Sequence, residues 1–179
     1  MQNHFAPNAK PFFALQEKKM YKFLCYTAVS GFGVGYFPFA SGTAGSFATL
    51  PFAFAAAYYF GFWGILLLAV ATFFIGVIAS KEVLKYTKHD PSIIIIDEVV
   101  GQLLTFSLVA NALVDNLHAW AAYVIGFFLF RLFDIWKPQP ARWADSKIIN
   151  AWGVMLDDVF AGIYAAIVLY GISLIVEIL

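Results

Sequence analysis

Charge is scarce in this sequence, cysteine is nearly absent, and there is no excess of either sign. Asp, Glu, Lys and Arg make up 12% of its 179 residues, against roughly 25% in ordinary soluble domains. A soluble fold with so few charges has little with which to cover its surface. Eleven basic residues balance eleven acidic ones, for a formal net charge of zero, so nothing points to a nucleic-acid partner. Cys25 is the one cysteine. It excludes an intramolecular disulfide and reads as a small apolar packing residue. No internal repeat or low-complexity tract stands out. Residues 1–22 carry Lys10, Lys18, Lys19 and Lys22, without the ordered apolar run and small-residue cleavage site of a secretory signal.

What the sequence has is apolar length. Hydrophobic residues make up 62% and mean hydropathy is +0.79. The expected fold is all-α: a polytopic integral membrane helical bundle with about four to five membrane helices, plus a glycine-rich N-terminal re-entrant or interfacial segment. Helices are expected because they satisfy their backbone hydrogen bonds internally in lipid. Residues 1–22 read as a polar lead-in, with a short amphipathic surface helix as an option. Residues 23–179 read as a single membrane-embedded catalytic domain. Within it, residues 23–46 are broken by Gly31, Gly33, Gly35, Pro38, Gly42 and Gly45, too many breakers for one spanning helix. Residues 47–80 carry no charge. As one helix they would run roughly 50 Å at about 1.5 Å per residue, so a hairpin turning near residues 61–64 is expected. Its first arm, about residues 46–60, is short and carries Pro51; its second is about residues 62–80. Further helices are expected over residues 97–111, 117–136 and 154–178.

These spans sort the charges. With the N-terminal region placed in the cytoplasm, all eleven Lys and Arg residues fall on the inner side or its edge, which is the positive-inside pattern. Asp97 and Glu98 begin an outward helix. Arg131, Asp134 and Lys137 end an inward one, and Asp157 and Asp158 begin another outward one. Distant stretches of sequence thus bring their ionisable residues to one face of the bilayer.

The residue types suggest what such a cluster does. Asp97–Glu98 and Asp157–Asp158 are adjacent pairs, and two pairs on neighbouring helices offer four carboxylates to one volume. Hard divalent cations such as Mg²⁺ prefer such oxygen ligands. Capping of the helix dipole explains one acid per helix but accounts poorly for doubled acids at membrane depth, where ionisable groups are expensive. Arg131, Asp134 and Lys137 recur at intervals of three along one helix face. Asp134 can bridge the two cations or ligate a metal, while Arg131 and Lys137 can hold phosphate oxygens. The plainer alternative is an ion-paired helix end whose long side chains reach toward the interface. Ser41, Gly42, Thr43, Gly45 and Ser46 lead into a helix, where free N–H groups and hydroxyls suit an anion; an interfacial turn with Ser46 as N-cap is the competing reading. His4, His89 and His118 do not form a metal cluster; His89, in an inner loop, reads as part of a surface turn, with assistance to proton transfer as the competing reading. Trp136, Trp143 and Trp152 suit an interfacial belt.

At these residues the chain resembles the phosphatidylglycerophosphatase A family of bacteria. The matching stretches are residues 31–35, residues 42–46 with Pro51 and Phe52, residues 97–101, residues 130–138 with Pro140, and residues 155–162. Together they span about residues 30–165. Ser41 departs from the pattern, standing where proline is expected before Gly42–Thr43. The resemblance implies a Mg²⁺-dependent lipid phosphomonoesterase that converts phosphatidylglycerophosphate to phosphatidylglycerol and inorganic phosphate at the cytoplasmic leaflet of the bacterial inner membrane. It implies Asp97, Glu98, Asp134, Asp157 and Asp158 as metal and catalytic residues, with Arg131 and Lys137 on the phosphate. It leaves oligomeric state unaddressed.

Two rival readings remain at the level of sequence. An ion-coupled transporter also uses intramembrane acids and broken helices, but these charges lie at one end rather than at midplane. A non-catalytic membrane scaffold has no need of paired acids facing Arg and Lys.

Overall fold

A computed structural model of the chain describes residues 12–87, 91–114 and 119–178. Among them regular structure is entirely helical. Helix α1 (Phe12–Val29) is followed by a 3-10 turn (Val34–Tyr36), then α2 (Ser41–Val83), α3 (Ile96–Ser107), α4 (Ala119–Trp136), α5 (Ala141–Lys147) and α6 (Ala151–Ile178). Three of these, Ser41–Val83, Ala119–Trp136 and Ala151–Ile175, are long and apolar enough to cross a membrane, which indicates a membrane-associated protein.

Helix α2 is two antiparallel arms. Gly61 interrupts it at φ 59°, ψ −145°, a backbone state open to glycine and strained for other residues. The chain doubles back there, so closely that a Cβ on Gly64 would stand 2.6 Å from the Ala56 carbonyl oxygen. The reversal expected near residues 61–64 thus occurs at Gly61.

The first arm begins at Ser41 rather than near residue 46. Glycine and serine are weak helix formers, but here small size prevails. Gly42, Gly45, Ser46, Thr49, Ala53 and Ala57 form its buried face, letting neighbouring elements approach closely. A Cβ on Gly45 would meet the Ile95 side chain at 3.0 Å. The Ser46 hydroxyl donates to the Gly42 carbonyl at 3.0 Å and Thr49 to that of Gly45 at 2.9 Å, so both are satisfied inside the helix.

Helix α1 runs through residue 22 without a break, joining the polar lead-in to the apolar segment. Lys18 and Lys19 are exposed, while Cys25 and Val29 pack with Val77, Val83 and Ile94. The glycine-rich loop after it lies on the connection before α3: the Ile95 N–H donates to the Val29 carbonyl at 2.9 Å, and the Ile93 carbonyl lies where a Cβ on Gly35 would be.

Helix α3 holds the centre. One side, through Leu103 and Phe106, packs on Ala53, Ile65 and Ala69 of the hairpin. The other presents Gly101 to Gly162 of α6, and Thr105 donates to the Gly101 carbonyl at 2.9 Å. Helix α4 closes the bundle through Phe130, packed with Ala161 and Ala165, and Tyr164 of α6 donates to the Gln139 carbonyl at 2.5 Å.

Candidate active site

The three helix ends that carry acids meet at one end of the bundle. Asp97 and Glu98 occupy the first turn of α3, and the Asp97 carboxylate accepts the Glu98 N–H at 3.1 Å. Asp158 stands near the start of α6. Asp97, Glu98 and Asp158 each place a carboxylate oxygen so that all lie within 4.8 Å of one another. Asp97 is 6% and Asp158 3% exposed, so like charges converge where water is scarce. Asp134, from the last turn of α4, faces Asp158 across the same space.

Arg131 supplies the nearest positive charge. Its Nη1 stands 2.9 Å from Asp134 Oδ2, but the two are not aligned for a hydrogen bond, and Arg131 Nε and Nη1 remain buried without acceptors. Glu98 Oε2 is likewise buried and unpartnered. Gly42, in the first turn of α2, completes this wall. A Cβ there would collide with Glu98 Oε1 and stand 3.2 Å from Arg131 Nη1. The N-cap, Ala40, offers no side-chain hydrogen bond, so the first N–H groups of α2 have no partner within the helix.

Lys137 builds a second, adjoining group. It adopts φ 48°, and its N–H donates to the Phe133 carbonyl at 2.8 Å, ending α4 with a left-handed residue ahead of Pro138. That turn aims its ammonium between α5 and α6, where it donates to Asp157 at 2.7 Å and lies 2.9 Å from Asp145 Oδ1. Burial draws the Lys137 pKa down, but the bonds to Asp157 and Asp145 more than offset this and raise it above the ordinary lysine value. Asp157 and Asp158, about 100° apart around the helix, therefore serve different neighbours.

Asp97, Glu98, Arg131, Asp134 and Asp158 are thus brought together, with Asp157 and Lys137 alongside. Gly42 joins them, and Ser41 and Thr43 sit half-buried in the same turn. Gly45 faces Ile95 instead, and the Ser46 hydroxyl is occupied within its own helix. His4, His89 and His118 lie outside the described residues. Sequence reasoning missed Asp145, whose role depends on α5 folding back onto α6. It also missed Gln102, which is 0% exposed with both amide atoms unpartnered. Gln102 lies one turn beyond Glu98, and that spacing was a readable signal.

The sequence matches the description of phosphatidylglycerophosphatase A over residues 27–173. The chain belongs to the phosphatidylglycerophosphatase A family. It is therefore a hydrolase of the lipid phosphatase class. Among relatives bearing the family name, the Escherichia coli protein is 37% identical over 145 residues, covering 80% of each chain. The Haemophilus influenzae protein is 34% identical over 144 residues, covering 80% of this chain and 85% of its own. A Bacteroides thetaiotaomicron protein, provisionally named a phosphatidylinositol-3-phosphatase, is 37% identical over 145 residues, 78% of this chain and 87% of its own. No solved structure matches the chain. The phosphatidylglycerophosphatase A match encloses every residue of the acid cluster, as well as Gly42, Gln102 and Asp145.

Proposed function

We propose that this protein hydrolyses the terminal phosphomonoester of phosphatidylglycerophosphate, giving phosphatidylglycerol and inorganic phosphate, with Mg²⁺ as cofactor. The same reading makes it a multi-pass protein of the bacterial inner membrane with its site on the cytoplasmic side. The two arms of α2, residues 96–114, α4 and α6 then form five crossings. The segment around residues 30–40 lies at the inner boundary. The observation that carries the reading is the meeting of Asp97, Glu98 and Asp158 within 4.8 Å, beside Arg131 and the first turn of α2.

The donor set suits a hard divalent cation. Its ligands are all carboxylate oxygens, and Glu98 Oε2 is a buried acceptor lacking a partner. Asp97, Glu98 and Asp158 would hold the ion, with Asp134 next to them. When bound, such an ion supplies positive charge against the phosphomonoester and polarises its phosphoryl group.

The remaining work falls to the chain. Arg131 has N–H groups free to donate to equatorial phosphoryl oxygens as charge spreads over them. The unpaired N–H groups at the start of α2 approach the same volume and favour an anion. Lys137 holds Asp157 in place and balances its charge, keeping that carboxylate apart from the other acids. Asp134 fixes the Arg131 side chain from the same helix. This division of labour favours an enzyme over a carrier, since the acids face a fixed cation at one end of the bundle.

The name of the Bacteroides relative supports a second substrate, a phosphatidylinositol 3-phosphate, which is also a lipid phosphomonoester. Phosphate release from each lipid by the purified full chain in detergent, with EDTA and then with added Mg²⁺, tests both. Release from phosphatidylglycerophosphate that stops with EDTA and returns with Mg²⁺ is the expected result. Release unaffected by EDTA defeats the cofactor assignment, and hydrolysis of neither lipid defeats the substrate assignment.

A further inference from the structure

A cavity of about 320 Å³ opens between the glycine-rich loop, the two arms of α2 and α3. Its lining advances in one direction on all three helical elements. On the first arm it runs from Gly45 to Phe52, on the second from Ile75 to Leu68, and on α3 from Ile95 to Leu103. Each run starts beside the charged end of the bundle: Gly45 is one turn from Gly42, and Ile95 and Ile96 directly precede Asp97. At about 1.5 Å per residue, the runs descend roughly 10–12 Å. One leaflet of a hydrocarbon core of about 30 Å is of similar depth.

The chemistry of the walls restricts the occupant. No charged residue lines the cavity. Of its two threonines, Thr49 already donates its hydroxyl to the Gly45 carbonyl. A headgroup or a hydrated ion would find few partners there, whereas an alkyl chain would remove apolar wall from water. Phe32 is 90% exposed and stands at the rim.

We propose that this cavity holds one acyl chain of the lipid whose phosphate lies at the Asp97–Glu98–Asp158 cluster. The inference rests on the lipid phosphatase reading and adds where the substrate's tail lies. The lipid enters from the inner leaflet, phosphate toward Gly42 and Arg131 and tail along Thr49 and Leu103. Chain length and branching are then read by Ala48, Phe52 and Thr72, far from the reacting phosphorus.

Photoaffinity labelling of the full chain in phosphatidylethanolamine vesicles tests this. The probe is phosphatidylglycerophosphate with a diazirine midway along one acyl chain. Adducts are expected on Phe52, Leu68 or Leu103. Excess unlabelled phosphatidylglycerophosphate should suppress them and phosphatidylcholine should not. Adducts confined to the outward side chains Phe54, Phe74 and Phe128, or cavity adducts indifferent to the competitor, overturn the proposal. Ala48→Phe, which narrows the cavity, provides a second measurement. It should raise KM for a long-chain substrate about tenfold relative to a dihexanoyl one; an unchanged KM ratio overturns the proposal. Phe54→Trp, on the outward face of the same arm, should leave that ratio alone. Loss of the substrate reading would appear separately, as wild-type protein that releases no phosphate from either chain length.

Discussion

Gly162 of α6 crosses Gly101 of α3 so closely that a Cβ on Gly162 would stand 2.5 Å from the Gly101 carbonyl oxygen and 2.9 Å from its Cα. The crossing lies four residues beyond Asp158 on one helix and four beyond Asp97 on the other. Backbone contact at this level therefore sets how near the acids come one turn away.

Gly162→Ala should accordingly separate the carboxylates without dismantling the bundle. The methyl group would meet backbone atoms, which cannot swing aside as a side chain can. Overpacking of this kind costs about 1–3 kcal/mol. Phosphate release should fall far more than the thermal midpoint in detergent, while helical circular dichroism persists. Wild-type turnover would show that the crossing does not govern the site. Gly171→Ala, where an added Cβ meets nothing within 4 Å, should leave turnover unchanged.

The acids themselves give a second prediction. Asp97→Asn, Glu98→Gln and Asp158→Asn should each lower kcat by about 10²–10³-fold, as when a preorganised electrostatic group is removed from a site. Mn²⁺ binding followed by electron paramagnetic resonance should weaken in all three. Full turnover by the Asp97 and Asp158 variants would remove the metal-site proposal.

Gly42 offers a test of the phosphate wall. Gly42→Ala would drive a methyl group into Glu98 and against Arg131 Nη1 at 3.2 Å. A loss in kcat/KM of about tenfold or more is expected, since small displacements of positioned groups are expensive in rate. Equal kinetics for variant and wild type would place the phosphate elsewhere.

Lys137 yields a prediction about pH. Its raised pKa means that its ammonium is fully charged below the unfolded lysine value of about 10.4, and that on the alkaline side its bonds to Asp157 and Asp145 are lost only as pH rises through the higher folded value. Between about pH 8 and pH 9.5, stability should therefore show no step from this residue. Lys137→Met should lower the thermal midpoint across that whole range, and Asp145→Asn should lower it less, because the bond to Asp157 survives. A Lys137→Met loss confined to one end of the range would contradict the arrangement.

The sequence disclosed features fixed by long-range constraints and concealed those fixed by local contact. Spans long enough to cross a bilayer must alternate in direction, so the gathering of Asp97, Arg131, Asp134 and Asp158 at one end could be read from chain order. The reversal at Gly61 was readable because an uncharged run too long for one crossing must fold. The start of the first arm was not, since Gly42, Gly45 and Ser46 carry weak local preference and become helical by fitting against Ile95 and Glu98. The split between Asp157 and Asp158 was equally hidden. Adjacent acids look alike in sequence and differ only once Lys137, in its left-handed turn, reaches one of them.

The carboxylate cluster draws its members from stretches of chain made at different times. Asp97 and Glu98 emerge with α3, whereas Asp158 follows only with α6. A nascent chain still attached to the ribosome carries two of the three carboxylates and none of the glycine contact that aligns the third. On the proposed reading, competence to attack lipid arrives only with α6, and fragments that stop short of Asp158 are inert toward phosphomonoester lipids.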